Sequence, residues 1–432
     1  VNNLSFVINA KEAYSVKRCA AKSNTSHSRA RRETIMDYRL LVLAFGTFAI
    51  GTDAYVVAGI LPEVARSFDV SIAAAGQFVT VYAFAYAILS PVMATITAHW
   101  PRRRVLLAGL AVFIVGNILT ATQLTFELAL VSRAVAGLGA AMVTPTAGAM
   151  AAALVTPERR GTALAIVMAG LSAATALGAP IGTFVGSIGD WRLTIWLVVA
   201  LGFLAAASML LVLPVMPPSP ALRLRERLAP LGDARVVAIL ATSLLVVFGA
   251  FLIYTYFSAV FERATGGDGT ILAALLLIYG VTGTIGSLAA GRLIDRLGSR
   301  LVLNLAIAGL ALNFALMPWS SIHFAAAAAA LMLWSVCGWG FVVAQQHRLV
   351  NVAPALAPIL LGLNASAMYL AISASGAVGA LAMRWLPPYD LPLVSAALVI
   401  CGAFGAEVAY RLIRAVKPEP AAPSLTASRA QP

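Results

Sequence analysis

Twelve apolar runs, parted by short polar loops, constrain this chain more than any other feature. Their approximate limits are 38–60, 75–97, 104–122, 127–152, 163–187, 193–213, 236–260, 271–291, 301–318, 323–346, 357–382 and 391–412. An α-helix needs about 20 apolar residues to cross a hydrocarbon core of roughly 30 Å. In lipid the backbone must satisfy its own hydrogen bonds, so each run reads as a helix; barrel strands would be shorter and half polar. Composition agrees, with 61% hydrophobic and only 11% charged residues, against roughly 25% charged in a soluble domain. The expected fold class is an all-α membrane protein with twelve transmembrane helices.

The distribution of charge gives the topology. Loops on the side of the N-terminus carry thirteen arginines, from Arg102 to Arg348, against four (Arg66, Arg192, Arg263, Arg384) on the other side. The positive-inside bias therefore places both termini in the cytoplasm. It also accounts for the net charge of +13 without a nucleic-acid partner. Residues 1–36 form a polar, basic tail with no apolar core of a signal peptide, and Met36-Asp37-Tyr38-Arg39 reads as a natural start, with 1–35 as a dispensable extension. A basic, Pro-rich linker at 214–235 divides an N-terminal six-helix bundle (37–213) from a C-terminal one (236–413), and 414–432 is a Pro/Ala/Ser-rich tail expected to be disordered. The halves repeat weakly: an offset of 197 residues pairs Pro101 with Gly298, Arg103 with Arg300, Pro157 with Pro354 and Gly182 with Gly379. Internal repetition marks transporters whose substrate site lies between the halves near the midplane.

Two charges stand well inside apolar runs. Asp53 lies in the first run, about eight residues short of its outer end, and Arg133 lies in the fourth, about seven past its outer end. An acid in a spanning helix costs about 2.5–3.5 kcal/mol and usually has a partner or a task. Similar depth makes an Asp53–Arg133 pair possible. Arg keeps its proton and Asp can exchange one, so the pair reads as a proton-coupling element, against the alternative of a static ion pair joining helices. The offset lands on Ala250 and Ala330, so the second half has no counterpart. Cavity candidates are the polar and aromatic residues Tyr55, Gln77, Tyr82, Asn117, Tyr254, Trp334, Trp339, Asn364 and Met368, a wall suited to a lipophilic or amphipathic ligand. The turn Gly291-Arg292-Leu293-Ile294-Asp295-Arg296-Leu297-Gly298-Ser299-Arg300 can pair acid and bases across helix ends as a conformational latch. Its first-half counterpart ends in Arg102-Arg103-Arg104 and has Ala98 at the place of the acid. In the fifth run, Gly178, Pro180 and Gly182 permit close helix approach and a hinge. Cys19, Cys337 and Cys401 form no cluster, so no metal or cofactor is expected. With no P-loop and no hydrolytic triad either, the chain is not read as an enzyme or a primary pump.

These features together resemble the major facilitator superfamily over residues 37–413. More narrowly they resemble its twelve-helix drug:proton antiporters, of the arabinose efflux-like and chloramphenicol-resistance permease branch. The resemblance is carried by Gly51-Thr52-Asp53-Ala54-Tyr55 through Pro62, by Arg133 with Gly137 and Gly139, and by Gly178-Ala179-Pro180-Ile181-Gly182-Thr183 followed by Asp190-Trp191-Arg192. It implies two pseudo-symmetric six-helix bundles with alternating access, a span-five antiporter motif, and a part for Arg133 in proton coupling. Many relatives place the span-one acid one residue later, where this chain has Ala54. The expectation is a monomeric, proton-coupled exporter of a small organic compound (drug, sugar or nucleoside class) in a bacterial cytoplasmic membrane. Its partners are substrate, protons and lipid. An uptake symporter or facilitator of the same fold is the alternative, and a non-transporting membrane sensor a more distant one.

Overall fold

The computed structural model describes residues 38–415 apart from 157, 158, 217 and 219–221. The tail at 1–36, the tail beyond Ala415 and Pro157 of the repeat lie outside the described residues. Twelve helices are long and apolar enough to span: α1 (Tyr38–Ser67), α2 (Ile72–Ile96), α3 (Arg102–Thr122), α4 (Phe126–Leu154), α5 (Arg160–Ser187), α6 (Trp191–Val212), α7 (Ala234–Thr255), α8 (Gly269–Leu297), α9 (Ser299–Ser320), α10 (Phe324–Val352), α11 (Ala357–Ala382) and α12 (Pro388–Ala415). All the regular structure among the described residues is helical.

Several helices outrun their apolar stretches, for local reasons. Asp233 accepts a hydrogen bond from the Arg235 N–H at 2.8 Å, which starts α7 two residues before 236. Asp268 caps α8 through the N–H groups of Thr270 at 2.7 Å and Ile271 at 3.3 Å. The Arg235 side chain, then its backbone N–H, holds the Asp233 carboxyl below the usual carboxylate range. That cap is at full strength above the unfolded carboxylate pKa and is lost as pH falls through the lowered one. Helices α8 and α10 each run 29 residues. They carry Arg292, Asp295, Arg296 and Arg348 into helix rather than loop. Arg348 is only 7% exposed and donates to Gln345 Oε1 and to the Ala406 carbonyl, each at 3.4 Å. It is a third interior charge, missed because the apolar run ends before the helix does.

Small residues set the packing within the first bundle. On the α1–α5 seam, Gly51 faces Ala174 and Leu171, Gly59 faces Thr183, Gly178 faces Thr52, and Gly182 faces Val56. The Thr47 hydroxyl donates to the Val167 carbonyl at 2.7 Å on the same seam. On α3–α4, Gly116 abuts the Ala136 backbone and Gly139 the Phe113 backbone. Close approach of backbones is what holds helices together where lipid removes the hydrophobic drive. Helix α5 widens into a π-turn at Ala174–Gly178, directly before Pro180. The proline ring would clash with the carbonyl four residues back, which is Ala176 inside that turn, and the extra residue relieves it.

The bundles α1–α6 and α7–α12 meet along two long seams, α2 with α11 and α5 with α8. Their contacts run from mid-depth to the face opposite the one bearing Tyr38 and Ala415. There Gly280 lies against the backbone of Thr175 and Ala176, Gly269 against Ser187, and Gly376 against Thr80. Toward the other face, added side chains at Gly161, Gly291 and Gly362 would meet nothing within 4 Å. Close inter-bundle contacts of glycines thus lie on one face, while these three positions on the other face open to free space. The repeat shows at the turns before α3 and α9, where Pro101 and Gly298 each precede the first helical residue. Gly298 has φ +81°, which explains why that copy needs glycine.

Candidate functional site

The site grows from a bend in expectation about α1. That helix continues to Ser67, so Asp53 sits fourteen residues (67 − 53) before its end, at mid-helix rather than eight residues short of it. Arg133 is seven residues (133 − 126) into α4, as expected. They touch nonetheless, because α1 projects further. Arg133 Nη1 donates to Asp53 Oδ1 at 2.7 Å, with both side chains essentially sealed at 1% and 0% exposure.

Asn117 of α3 closes the cluster. Its Oδ1 accepts from Arg133 Nη1 at 3.2 Å, and its Nδ2 donates to Asp53 Oδ2 at 3.4 Å and to the Phe113 carbonyl at 3.1 Å. One amide thus tethers both members of the pair to a third helix. The guanidinium carbon lies 4.6 Å from the centre of the Tyr82 ring of α2, a cation–π contact that adds to the charge pairing. Arg133 Nε and Tyr82 Oη are buried with no hydrogen-bond partner among the described residues. Four helices therefore converge on one acid whose proton can be exchanged and one base whose proton cannot. Breaking such a buried pair costs about 3–5 kcal/mol, so it opens only when something replaces the missing contact.

Above this layer the bundles are joined by aromatics. The Tyr254 hydroxyl of α7 donates to the Tyr55 carbonyl of α1 at 3.3 Å, and the two rings meet edge to face with centroids 5.7 Å apart. Tyr256 breaks α7, and its hydroxyl donates to the Gly376 carbonyl of α11 at 2.6 Å and lies 3.5 Å from the Ala73 carbonyl of the other bundle. Tyr256→Phe deletes this bridge, worth about 0.5–1.5 kcal/mol. The expected result is a roughly two- to ten-fold faster labelling of a cysteine introduced at Thr80, beside Gly376, in a cysteine-free background. An unchanged rate would show that the bridge does not hold this face shut.

The other sequence candidates divide. Asn117 and Tyr82 belong to the charged cluster. Trp334 is core: 1% exposed and packed edge to face against Phe314 and Tyr279 inside the second bundle. Its size and burial decide that, not its polar edge. Trp339 fills the space above Gly283 of α8. Asn364 is buried, with its amide nitrogen 3.4 Å from Met368 Sδ one turn on and its Oδ1 without a hydrogen-bond partner among the described residues. Gln77 opens the main segment of α2 half-buried. Tyr55 and Tyr254 lie where the bundles meet. Tyr86 and Tyr369 stack across the bundle seam with centroids 3.6 Å apart; Tyr369 was among the polar and aromatic residues offered by the eleventh run, whereas Tyr86 was absent from the candidates, and its i, i+4 spacing from Tyr82 was the available signal.

The latch read from the Gly291–Arg300 turn is not engaged in this conformation. Asp295 and Arg296 are exposed, and no ion pair of either occurs among the described residues; Arg300 instead pairs with Glu407 of α12 at 3.2 Å and lies over the Tyr410 ring. The turn at Gly298 directs the first residues of α9 toward α12. In the first half, Arg102 Nη1 donates to the Ala149 carbonyl at 2.6 Å, Arg103 donates to the Leu210 carbonyl, and Arg104 is exposed. These arginines cap neighbouring helix ends inside their own bundle.

Comparisons with known proteins agree with this architecture. The inner membrane transport protein YdhP of Escherichia coli (strain K12) is 29% identical over 347 residues, covering 80% of this chain and 88% of that protein. The uncharacterized MFS-type transporter YbcL of Bacillus subtilis (strain 168) is 27% identical over 345 residues, covering 79% and 88%. Among solved structures, a nucleoside transporter, NupG, superposes with TM-score 0.71 at 12% identity over 87% of this chain and 100% of its own. A D-xylose-proton symporter does so with TM-score 0.70 at 16% identity over 87% and 96%. Both structural likenesses concern the fold. The sequence model of the Major Facilitator Superfamily matches residues 43–376, and with twelve spanning helices in that fold the chain belongs to this superfamily and is a multi-pass membrane transporter, not an enzyme.

Proposed function

We propose that the protein exports a small organic compound in exchange for protons, by alternating access, as a monomer in a bacterial cytoplasmic membrane with both termini cytoplasmic. The observation that carries this reading is the sealed Asp53–Arg133 pair, 2.7 Å apart at the depth where the two bundles meet. A proton on Asp53 breaks the pair, and a substrate beside Arg133 favours the ionised, paired carboxylate, so proton and substrate load in turn, each from whichever side is open. The face bearing Gly161, Gly291 and Gly362 is then the cytoplasmic one, in keeping with the arginine bias. The α8–α9 turn serves the opposite state, where the exposed Asp295 and Arg296 approach the facing helices.

The test is proton movement in proteoliposomes loaded with an internal pH dye, with phenicols, sugars, nucleosides and lipophilic cations added in turn. Proton flux opposite to substrate flux, abolished in Asp53→Asn, is the expected result. Unaltered proton-coupled flux in folded Asp53→Asn would remove Asp53 from the mechanism. A second reading, uptake by symport, draws on the likeness to the D-xylose-proton symporter and predicts flux of both species in one direction.

A further inference from the structure

Three features of the seam between bundles concern the substrate itself. The first is charge. In the spanning parts of α2, α7 and α11 that face the pair, the middle turns carry no Asp, Glu, Lys, Arg or His, and Asp53 and Arg133 neutralise each other. A ligand with net charge would enter this layer without a counter-charge. The second is the ring stack. Tyr86 of α2 and Tyr369 of α11 lie nearly parallel, at 17°, with centroids 3.6 Å apart. Ring quadrupoles disfavour such a face-to-face sandwich against offset or edge-on arrangements, so exchanging this contact for another flat ring sacrifices little. The two rings belong to different bundles, and Tyr369 is within electrostatic reach of Tyr82, Tyr55 and Asp53. The third is unmet hydrogen bonding. Tyr82 Oη and Arg133 Nε are buried and unpartnered, and Tyr86 Oη, one turn on from Tyr82, is buried with the Thr144 hydroxyl beside it.

We infer that Tyr86 and Tyr369 form a stacking site for a neutral compound with a planar ring whose rim carries hydrogen-bond acceptors. This rests on the reading of the chain as a transporter of a small organic compound and names its class. The ring slides between the tyrosines as the bundles part. Its acceptors take the Tyr86 and Tyr82 hydroxyls and the Arg133 N–H, which places the ligand beside the ion pair. Lipophilic cations and planar anions are excluded by the absence of a spare counter-charge, and flexible or non-planar neutral compounds by the flat gap.

The test is equilibrium binding to the purified full chain, by titration calorimetry, with no proton gradient present. The probes are uridine and chloramphenicol (neutral, each with a planar ring that carries acceptors), D-xylose (neutral, without a planar ring), tetraphenylphosphonium (cation) and benzoate (planar anion). At least one planar neutral probe is expected to bind at least ten-fold more tightly than the other three. Its affinity is expected to fall at least ten-fold in Tyr369→Leu and several-fold in Tyr86→Phe, and to hold within two-fold in Tyr369→Phe, which keeps the stack. Size-exclusion and melting profiles matched to wild type establish that each variant is folded. Preferred binding of tetraphenylphosphonium, benzoate or xylose, an unaltered affinity in folded Tyr369→Leu, or silence of both planar probes toward folded wild type would overturn the inference. Should a planar probe bind and depend on Tyr369 while liposomes show no proton movement, the stacking site stands and proton exchange falls.

Discussion

Asp53→Asn is expected to destabilise the protein more than Asp53→Asn combined with Arg133→Met. The single change removes the charge that balances Arg133 and leaves a guanidinium sealed at 1% exposure with only neutral amide oxygens, that of the substituted side chain and Asn117 Oδ1 at 3.2 Å, to accept from it. Losing one member of a buried pair costs about 3–5 kcal/mol, whereas replacing both by apolar groups of similar volume is often neutral. The double variant is therefore expected to recover most of the thermal stability in detergent, with a coupling energy of about 3 kcal/mol in the cycle. Neither variant is expected to move protons, because both lack the exchangeable carboxyl. Equal melting of the single and double variants would show that the pair is hydrated and weak, and the proposed coupling would lose its physical basis.

Gly280→Leu is expected to arrest transport while sparing the fold of each bundle. A Cβ at this position overlaps the Thr175 carbonyl and the Ala176 backbone in the π-turn of α5. Backbone held in a helix cannot yield as a side-chain tip can. The contact is between bundles, so its cost falls on the conformation in which α5 and α8 meet. Overpacking of about 1–3 kcal/mol corresponds to a roughly 5- to 150-fold loss of the closed arrangement. Gly362→Leu, facing open space, is the matched control and is expected to stay within about 0.5 kcal/mol of wild type. Initial rates in proteoliposomes and melting in detergent check both. Normal transport by Gly280→Leu would mean that the bundles do not close along this seam during the cycle.

The apolar runs by themselves determined the number of helices, their six-and-six division and the weak repeat, because lipid leaves the backbone no alternative to helix and the runs are set by composition alone. The small residues of α5 were likewise legible, since close helix approach depends on side-chain size. The importance of Asp53 and Arg133 was legible from the cost of interior charge. Their contact was not: α1 continues to Ser67 through a less apolar turn, and the depth of Asp53 estimated from the run was correspondingly short. Helix ends that outlast hydrophobicity also hid Arg348. Residues of similar chemistry that differ only in what they touch, such as Trp334 packed within the second bundle and Tyr254 reaching the Tyr55 carbonyl of the first, cannot be sorted by type or periodicity. The placement of Asn117 between acid and base, the Tyr86–Tyr369 stack, and the face on which glycines bring the bundles close depend on contacts between segments far apart in the chain. Only the tertiary structure decides these, because each is a property of two or three helices packed together and of none alone.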